Sequence, residues 1–481
     1  MRIFLILLVF AGLSVRAQDS VVQDTVLLSL DDILKLTISY HPTVKQAELL
    51  ALDAEANLRG ARGNFDPKLG LDYDLKEFEE KEYFNLLSTT LKVPTNIGLD
   101  PKIEFNRNSG EFINDQNEIP ADDDFRQLSI GVDLPIGRGL LYDERRNAIV
   151  QAEAFSQIAE AEQIKEINKI LFTVVKDYWT WFFAHRRQLL LSQAIALAKN
   201  LFDRTLLDYT FGESAVVDTL QAKINYQKRI VDYEQALLDF NLARLELSRH
   251  LWTKDELPLE IVNTALPDSS TVFPFMQDED LRSAIDFAMV NHPDLNKLEG
   301  KQQQISADIR LAKEFLKPQA DLSYSFINAP VNSDLETSSL NFNDNYKLGV
   351  NFSIPVFLRK ERGKLQQFRL KLRDNELEQV QNQLLVKNRI LGSFSETITF
   401  NELLVQYSGI ANNFKLLLDA EIINLQNGET DLFKLNIQQD KYIESQLDAL
   451  KSYTELEKSK AKFNFDSGRP FLGLSGLSTN E

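Results

Sequence analysis

The stretch Leu30–Tyr73, LDDILKLTISYHPTVKQAELLALDAEANLRGARGNFDPKLGLDY, recurs without a gap as Leu281–Tyr324, LRSAIDFAMVNHPDLNKLEGKQQQISADIRLAKEFLKPQADLSY. His41/His292, Pro42/Pro293, Ala56/Ala307, Arg59/Arg310, Ala61/Ala312, Pro67/Pro318, Leu71/Leu322 and Tyr73/Tyr324 all fall in one register. Two helical sequences share composition by chance. A matched His-Pro, a second matched Pro and a matched Leu-x-Tyr are instead the mark of an internal duplication.

Each copy has the same local reading. Ser29 and Asp31 supply N-cap chemistry for a helix ending near Ser39, and Pro42 opens a second helix running to about Gly63. A strand follows, in which Leu69, Leu71, Tyr73 and Leu75 alternate with Lys68, Gly70, Asp72, Asp74 and Lys76. The second copy alternates Ala320, Leu322, Tyr324 and Phe326 with Gln319, Asp321, Ser323 and Ser325. Returning strands carry Leu128, Ile130, Val132 and Leu134 in the first copy and Tyr346, Leu348, Val350, Phe352 and Ile354 in the second. Four strands of this length suit tilted membrane crossings of about 9–11 residues. Polar segments between them, Asn106–Asp124 and Asn328–Asp344, read as long loops on one side of the sheet. Leu86–Val93 and Ile97–Phe105 alternate moderately, with Pro101 weakening the second as a central strand. They are either an added strand pair or a hairpin above the membrane.

Beyond Pro135 the chain turns helical from about Asp143 to about Tyr209 with no Pro or Gly. At 1.5 Å per residue that is about 100 Å, far beyond a usual globular helix. Phe211-Gly-Glu-Ser214 makes a turn, and a second helix returns from about Ala215 to Trp252. The second copy follows suit, with helices over about Lys360–Leu425 and Leu432–Phe465 around the turn Asn427-Gly-Glu-Thr430. The short and medium helices stacked end to end roughly equal one long helix. Each half therefore supplies one long rod and one composite rod. Such a narrow coiled-coil sheet buries neither face alone, and four strands close no barrel. Unpaired backbone groups in hydrocarbon cost several kcal/mol each, so the remedy is closure with further copies, a trimer giving twelve strands.

The whole-chain composition sets bounds. Arg2, the apolar run Ile3–Leu13 and the small-residue exit Val15-Arg16-Ala17 have the pattern of a secretory signal peptide over residues 1–17. That run falls short of the roughly 20 residues a membrane helix needs, and no later stretch reaches it. The absence of Cys excludes a disulfide framework and an acylated N-terminal Cys. A net charge of −18 argues against nucleic acid and leaves two readings, plain solubility or an acidic, cation-selective lumen. The four histidines, His41, His185, His250 and His292, are scattered, so no metal set assembles by spacing, and no phosphate loop or nucleophile elbow is present. His41 and His292, each followed by Pro, read as residues that cap or pack a helix corner. The run Tyr178, Trp179, Trp181, Phe182, Phe183 reads as helix packing rather than a binding box. No enzyme chemistry and no cofactor is expected.

At this point residues 29–466 resemble the TolC family of outer-membrane efflux and secretion channels. The resemblance rests on Tyr40-His41-Pro42 and Asn291-His292-Pro293, on the strand exits Leu134-Pro135 and Ile354-Pro355, and on the tip Phe211-Gly-Glu-Ser-Ala-Val-Val-Asp-Thr-Leu-Gln-Ala222. Within that tip Gly212, Asp218, Leu220 and Ala222 stand where the family's motif has them. It implies an α+β membrane protein in which a long coiled-coil periplasmic α-barrel continues into a transmembrane β-barrel, completed by homotrimerisation with about four strands per chain. It further implies a passive duct docked to a periplasmic adaptor and an inner-membrane transporter, in tripartite efflux or type I secretion. The expected division is signal peptide 1–17, first repeat 18–266, second repeat 267–466 and tail 467–481.

The resemblance also places Gly212, Glu213, Ser214, Asp218, Gly428, Glu429 and Thr430 at adaptor-contacting tips. Asp431 and Lys434 then fall at the periplasmic gate. The second tip departs from the pattern, with Lys434 where the first has Asp218 and Asn436 where it has Leu220. Leu69, Leu71, Tyr73, Leu128, Ile130, Val132, Leu322, Tyr324, Phe326, Leu348, Val350 and Phe352 are the expected lipid-facing positions. A soluble periplasmic coiled-coil scaffold or adhesin is the alternative, with the strands packed on helices instead of lipid.

Overall fold

The computed structural model describes residues 26–113, 125–269, 273–274, 276–327, 345–469 and 471. The expected signal peptide, the segment 328–344, and most of both the 106–124 loop and the tail lie outside the described residues.

The chain begins with β1 (Val26–Leu28), then α1 (Leu30–Tyr40) and α2 (Pro42–Arg62). Ser29 caps α1 by accepting from the Asp32 N–H. His41 caps α2 through Nδ1, which accepts from the Thr43 N–H at 3.1 Å. His292 repeats the device with the Asp294 N–H at 3.1 Å, so both histidines are caps, one of the two roles that the sequence predicts.

Four strands follow, β2 (Lys68–Phe78), β3 (Lys81–Lys92), β4 (Asp100–Ser109) and β5 (Phe125–Pro135). Then come the long helix α3 (Glu144–Thr210), its return α4 (Val216–Ser248) and β6 (Ala265–Pro267). The second series runs α5 (Asp278–Asn291), α6 (Pro293–Glu314), β7 (Gln319–Ile327), β8 (Tyr346–Ser353), α7 (Arg359–Gln426) and α8 (Leu432–Asp466). With 67 and 68 residues, α3 and α7 are each about 100 Å long.

The described strands form a six-stranded antiparallel sheet in the order β2-β3-β4-β5-β7-β8, and a separate parallel pair β1-β6. Six described strands in this sheet replace the expected four. The 84–105 segment is an added strand pair inside the sheet, and β4 continues through Ser109, where the sequence suggested loop. Pro101 is tolerated because it lies at the entry to β4. Its carbonyl still accepts from the Val93 N–H at 2.9 Å, and only the reciprocal rung is lost.

The helices form a layer in which neighbours follow the order α2/α4, α3, α6/α8, α7. The start of α2 meets the end of α4, with His41 5.9 Å from His250 between ring centroids. Gly468, just past α8, packs on Pro293 at the start of α6. These are the composite rods. The main core sits at mid-height, where Tyr178, Trp179, Trp181 and Phe182 of α3 are buried against Leu30, Ile33 and Leu34 of α1 and Leu247 of α4. The Tyr178 hydroxyl donates to the carbonyls of Leu28 and Asp268 at 3.0 and 2.7 Å, which ties α3 to the ends of β1 and β6. The aromatic run is thus packing. Its counterpart in the second half joins Ala284 and Ala288 of α5 to Val386, Ile390 and Phe394 of α7.

Candidate functional site

Strand alternation and register sort the sheet into two faces. Leu69, Leu71 and Tyr73 of β2 stand opposite Leu91, Thr89 and Leu87 of β3. The same face continues through Ile103 and Phe105 of β4 to Ile130 and Leu128 of β5, with Val132 opposite Pro101. It passes to Phe326, Tyr324 and Leu322 of β7 and ends on Tyr346, Leu348, Val350 and Phe352 of β8. All twelve expected lipid-facing positions lie on this one face. Its edge-strand apolar side chains are open, Leu69 at 74% and Val350 at 67%. Among the described residues no helix covers it.

The other face is polar, with Lys68, Asp72 and Asp74 on β2, Lys92 and Ser88 on β3, Lys102 and Glu104 on β4, and Lys347 and Asn351 on β8. At its helix-side end Lys92 and Lys102 reach Asp133 at 2.8 and 3.1 Å. Arg145, in the first turn of α3, reaches Asp100 at 3.1 Å. Arg146 donates to the Asn96 carbonyl at 3.0 Å, fastening the β3–β4 turn to the same helix.

At the far end of the rods, both hairpins turn alike. Gly212 and Gly428 have φ of +79° and +75°, the left-handed conformation that ends a helix, and a Cβ on either would meet nothing within 4 Å. The Glu213 and Glu429 N–H groups each donate back to the helix, to the Asp208 and Asn424 carbonyls at 2.9 Å. Asp218 caps α4 by accepting from the Ala215 N–H at 3.1 Å. Asp431 caps α8 by accepting from the Lys434 N–H at 2.8 Å. This explains the departure of the second tip: the capping carboxylate sits at the N-cap position that Ala215 occupies in the first hairpin, leaving the third helical position free for Lys434. Asp431 and Lys434 are therefore neighbours through a cap and not through a side-chain ion pair.

The tie between the two hairpins lies farther up, on residues the sequence did not single out. Arg229 of α4, its side chain only 3% exposed, bonds Asp440 of α8. Lys228 reaches the same carboxylate at 3.1 Å. Asn225 donates to Asn436 at 2.7 Å and to Gln439 at 3.3 Å. Burial raises the Asp440 pKa, but the Arg229 and Lys228 charges outweigh it and hold the carboxyl below its ordinary value. The one available signal was Asn436, flagged only as a departure from the tip pattern.

The rods leave two edges without partners. Along α4, Val217, Ile224, Val231, Leu238 and Leu245 are exposed at seven-residue spacing; along α7, Leu370, Leu377, Leu384 and Leu391 repeat it. Among the described residues no group of three or more His, Cys, Asp or Glu is placed to hold a metal, and no helix is long and apolar enough to cross a membrane.

No protein-family model and no curated protein matches the chain. Solved structures do. The outer-membrane channel OprN superposes with a TM-score of 0.66 at 16% identity, over 91% of this chain and 89% of that one. The CmeC outer membrane channel of Campylobacter jejuni gives 0.64 at 12%, over 92% and 86%. The outer membrane protein VceC of Vibrio cholerae gives 0.64 at 12%, over 92% and 96%. This is the fold of the TolC-type outer-membrane channels. A tall α-helical layer continuous with an antiparallel sheet, unclosed in one chain, is common to the comparison and to the geometry above.

Proposed function

We propose that three copies of this chain close into an outer-membrane channel that serves as the passive exit duct of a tripartite efflux or type I secretion system. The observation that carries the reading is the matched pair of open edges. β2 is entered from α2 and β8 leads into α7, so the free strand and the free rod lie together on each side of the chain. β2 and β8 run in opposite directions, so β8 of one copy meets β2 of the next as an antiparallel pair. The same step sets the apolar stripe of α4 against the tip-side half of α7, where Leu403, Ile410 and Leu417 are exposed at the same spacing. The open apolar sheet face then becomes a lipid-facing band, with Tyr324 and Tyr346 stacked at its outer end as an aromatic girdle.

In this reading the tips Gly212, Glu213, Ser214, Gly428, Glu429 and Thr430 meet a periplasmic adaptor, with Asp218 holding the first tip's helix in shape. The Arg229–Asp440 tie, with Asp431 and Lys434 below it, holds the periplasmic end closed. Energy comes from an inner-membrane transporter, and the chain performs no chemistry.

Because the natural chain has no Cys, Val217→Cys with Ile423→Cys tests ring closure directly. Both sit five residues from a tip glycine, on α4 and α7, which lie at opposite edges of the helical layer. A bismaleimide should link copies in a ladder ending at three. Unlinked monomers from membranes would contradict the reading.

A further inference from the structure

The strand pair β3–β4 bears on what the channel carries. It lies in the middle of the sheet, paired on both sides over most of its length, and its residues obey the same two faces as the other strands. Leu87, Leu91, Ile103 and Phe105 carry the apolar band across the pair, with Thr89 and Asn85 as polar members of β3 on that face. On the polar side Lys92 and Lys102 converge on Asp133, and the turn below is fastened to α3 through Arg146. The pair is rooted in the wall.

The widths of the two layers agree only when that pair is counted. Strands about 4.8 Å apart and tilted about 40° each take about 6 Å of perimeter, so six span about 38 Å and four only about 25 Å. The four rods below, at about 8–10 Å between axes, span about 32–40 Å. A six-stranded sheet therefore stands on its helices without tapering.

We propose, resting on the trimeric reading above, that the membrane section closes as an eighteen-stranded, water-filled barrel as wide as the helical tube beneath it. The channel then passes bulky, water-soluble cargo with no narrowing at the membrane. Eighteen strands give a backbone diameter of about 36 Å and twelve about 24 Å; side chains reduce these to bores of about 24 and about 12 Å. A barrel of eighteen strands holds an open aqueous lumen, and the polar face supplies its mixed-charge lining. Size selection is left to the periplasmic end.

The test is a single cysteine on the polar face, Asp74→Cys, in intact cells treated from outside with maleimide polymers about 10 and about 20 Å across, sizes that lie on either side of the narrower bore and both pass the wider one. Labelling is read only on material that migrates as trimer, with Glu80→Cys at the outer turn as the accessibility control. The expected result is that both polymers label Asp74→Cys. Trimers that take the small polymer and refuse the large one, while the control takes both, would overturn the wide barrel and leave the channel reading standing. Absence of trimer in the unsubstituted protein would remove the channel reading itself. If Asp74→Cys fails to assemble, Leu71→Cys with Thr89→Cys and Phe105→Cys with Leu128→Cys give an independent readout by oxidation in the membrane. Both pairs are cross-strand partners in the six-stranded order. Crosslinking within each pair is expected, whereas β2 linked instead to β5, through Leu71→Cys with Leu128→Cys, would overturn the proposal.

Discussion

Among single residues, His41 is the one whose chemistry and position are most tightly bound. Its Nδ1 is the acceptor that caps α2, so the imidazole has to stay neutral at that atom. Burial, with the nearby His250 and Arg249, lowers its pKa to about 4. The unfolded chain takes up a proton near 6.5, the folded one only near 4. Stability is therefore full above about 6.5 and declines as pH falls through that window. His41→Asn keeps a capping side chain without the titration. Its melting temperature should fall less between about pH 7 and about pH 4.5 than that of the unsubstituted protein; equal losses would show that His41 does not set this sensitivity.

Asp440 works in the opposite sense. Its depressed pKa means that the tie to Arg229 is present at neutral pH and is lost only as pH falls below the ordinary carboxylate range. Asp440→Asn leaves the buried Arg229 guanidinium with Asp232, at 3.5 Å, as its remaining carboxylate. The half-open carboxylate limits the cost to about 1–3 kcal/mol at the periplasmic end. The expected outcome in planar bilayers is a higher, noisier conductance for Asp440→Asn, and a steady one for the unsubstituted channel from about pH 7 to about pH 5. Identical traces would take this tie out of gating.

At the level of elements, the sheet makes the sharper claim. Arg at Leu71, mid-strand on the apolar face, should cost about 2–4 kcal/mol in membrane assembly. Arg at Ile103 should cost the same, because β4 sits in the same band. If Leu71→Arg abolishes trimer recovery and Ile103→Arg does not, β4 lies outside the bilayer. This is also where the sequence was hardest to read. The outer strands announce themselves through clean alternation, Leu69 to Leu75 against lysines and aspartates, and the long helices through the absence of Pro and Gly. In β3 the pattern is blurred: Phe84 and Leu86 fall on the polar face, Asn85 and Thr89 on the apolar one. Pro101 then argued against a central strand, since a strand-entry proline cannot be told from a mid-strand one before the ends are known. The Arg229–Asp440 tie was invisible for a simpler reason. Among 53 basic and 71 acidic residues nothing local marks the pair that a crossing of two hairpins brings together.

For the molecule as a whole, the duplication does most of the explaining. Two copies of helix, His-Pro corner, helix, strands and long hairpin give a chain of four rods with one free edge on each side. Neither the apolar stripe on α4 nor the open strand β2 finds a partner within that chain. In the proposed channel both find partners in further copies. Electron cryo-microscopy of the protein extracted from outer membranes into detergent tests this most directly. It should show three copies around one axis, with a helical tube of about 100 Å below a detergent belt of about 30 Å. Monomers or rods that remain soluble without detergent would mean that the sheet never meets lipid, and would contradict the channel.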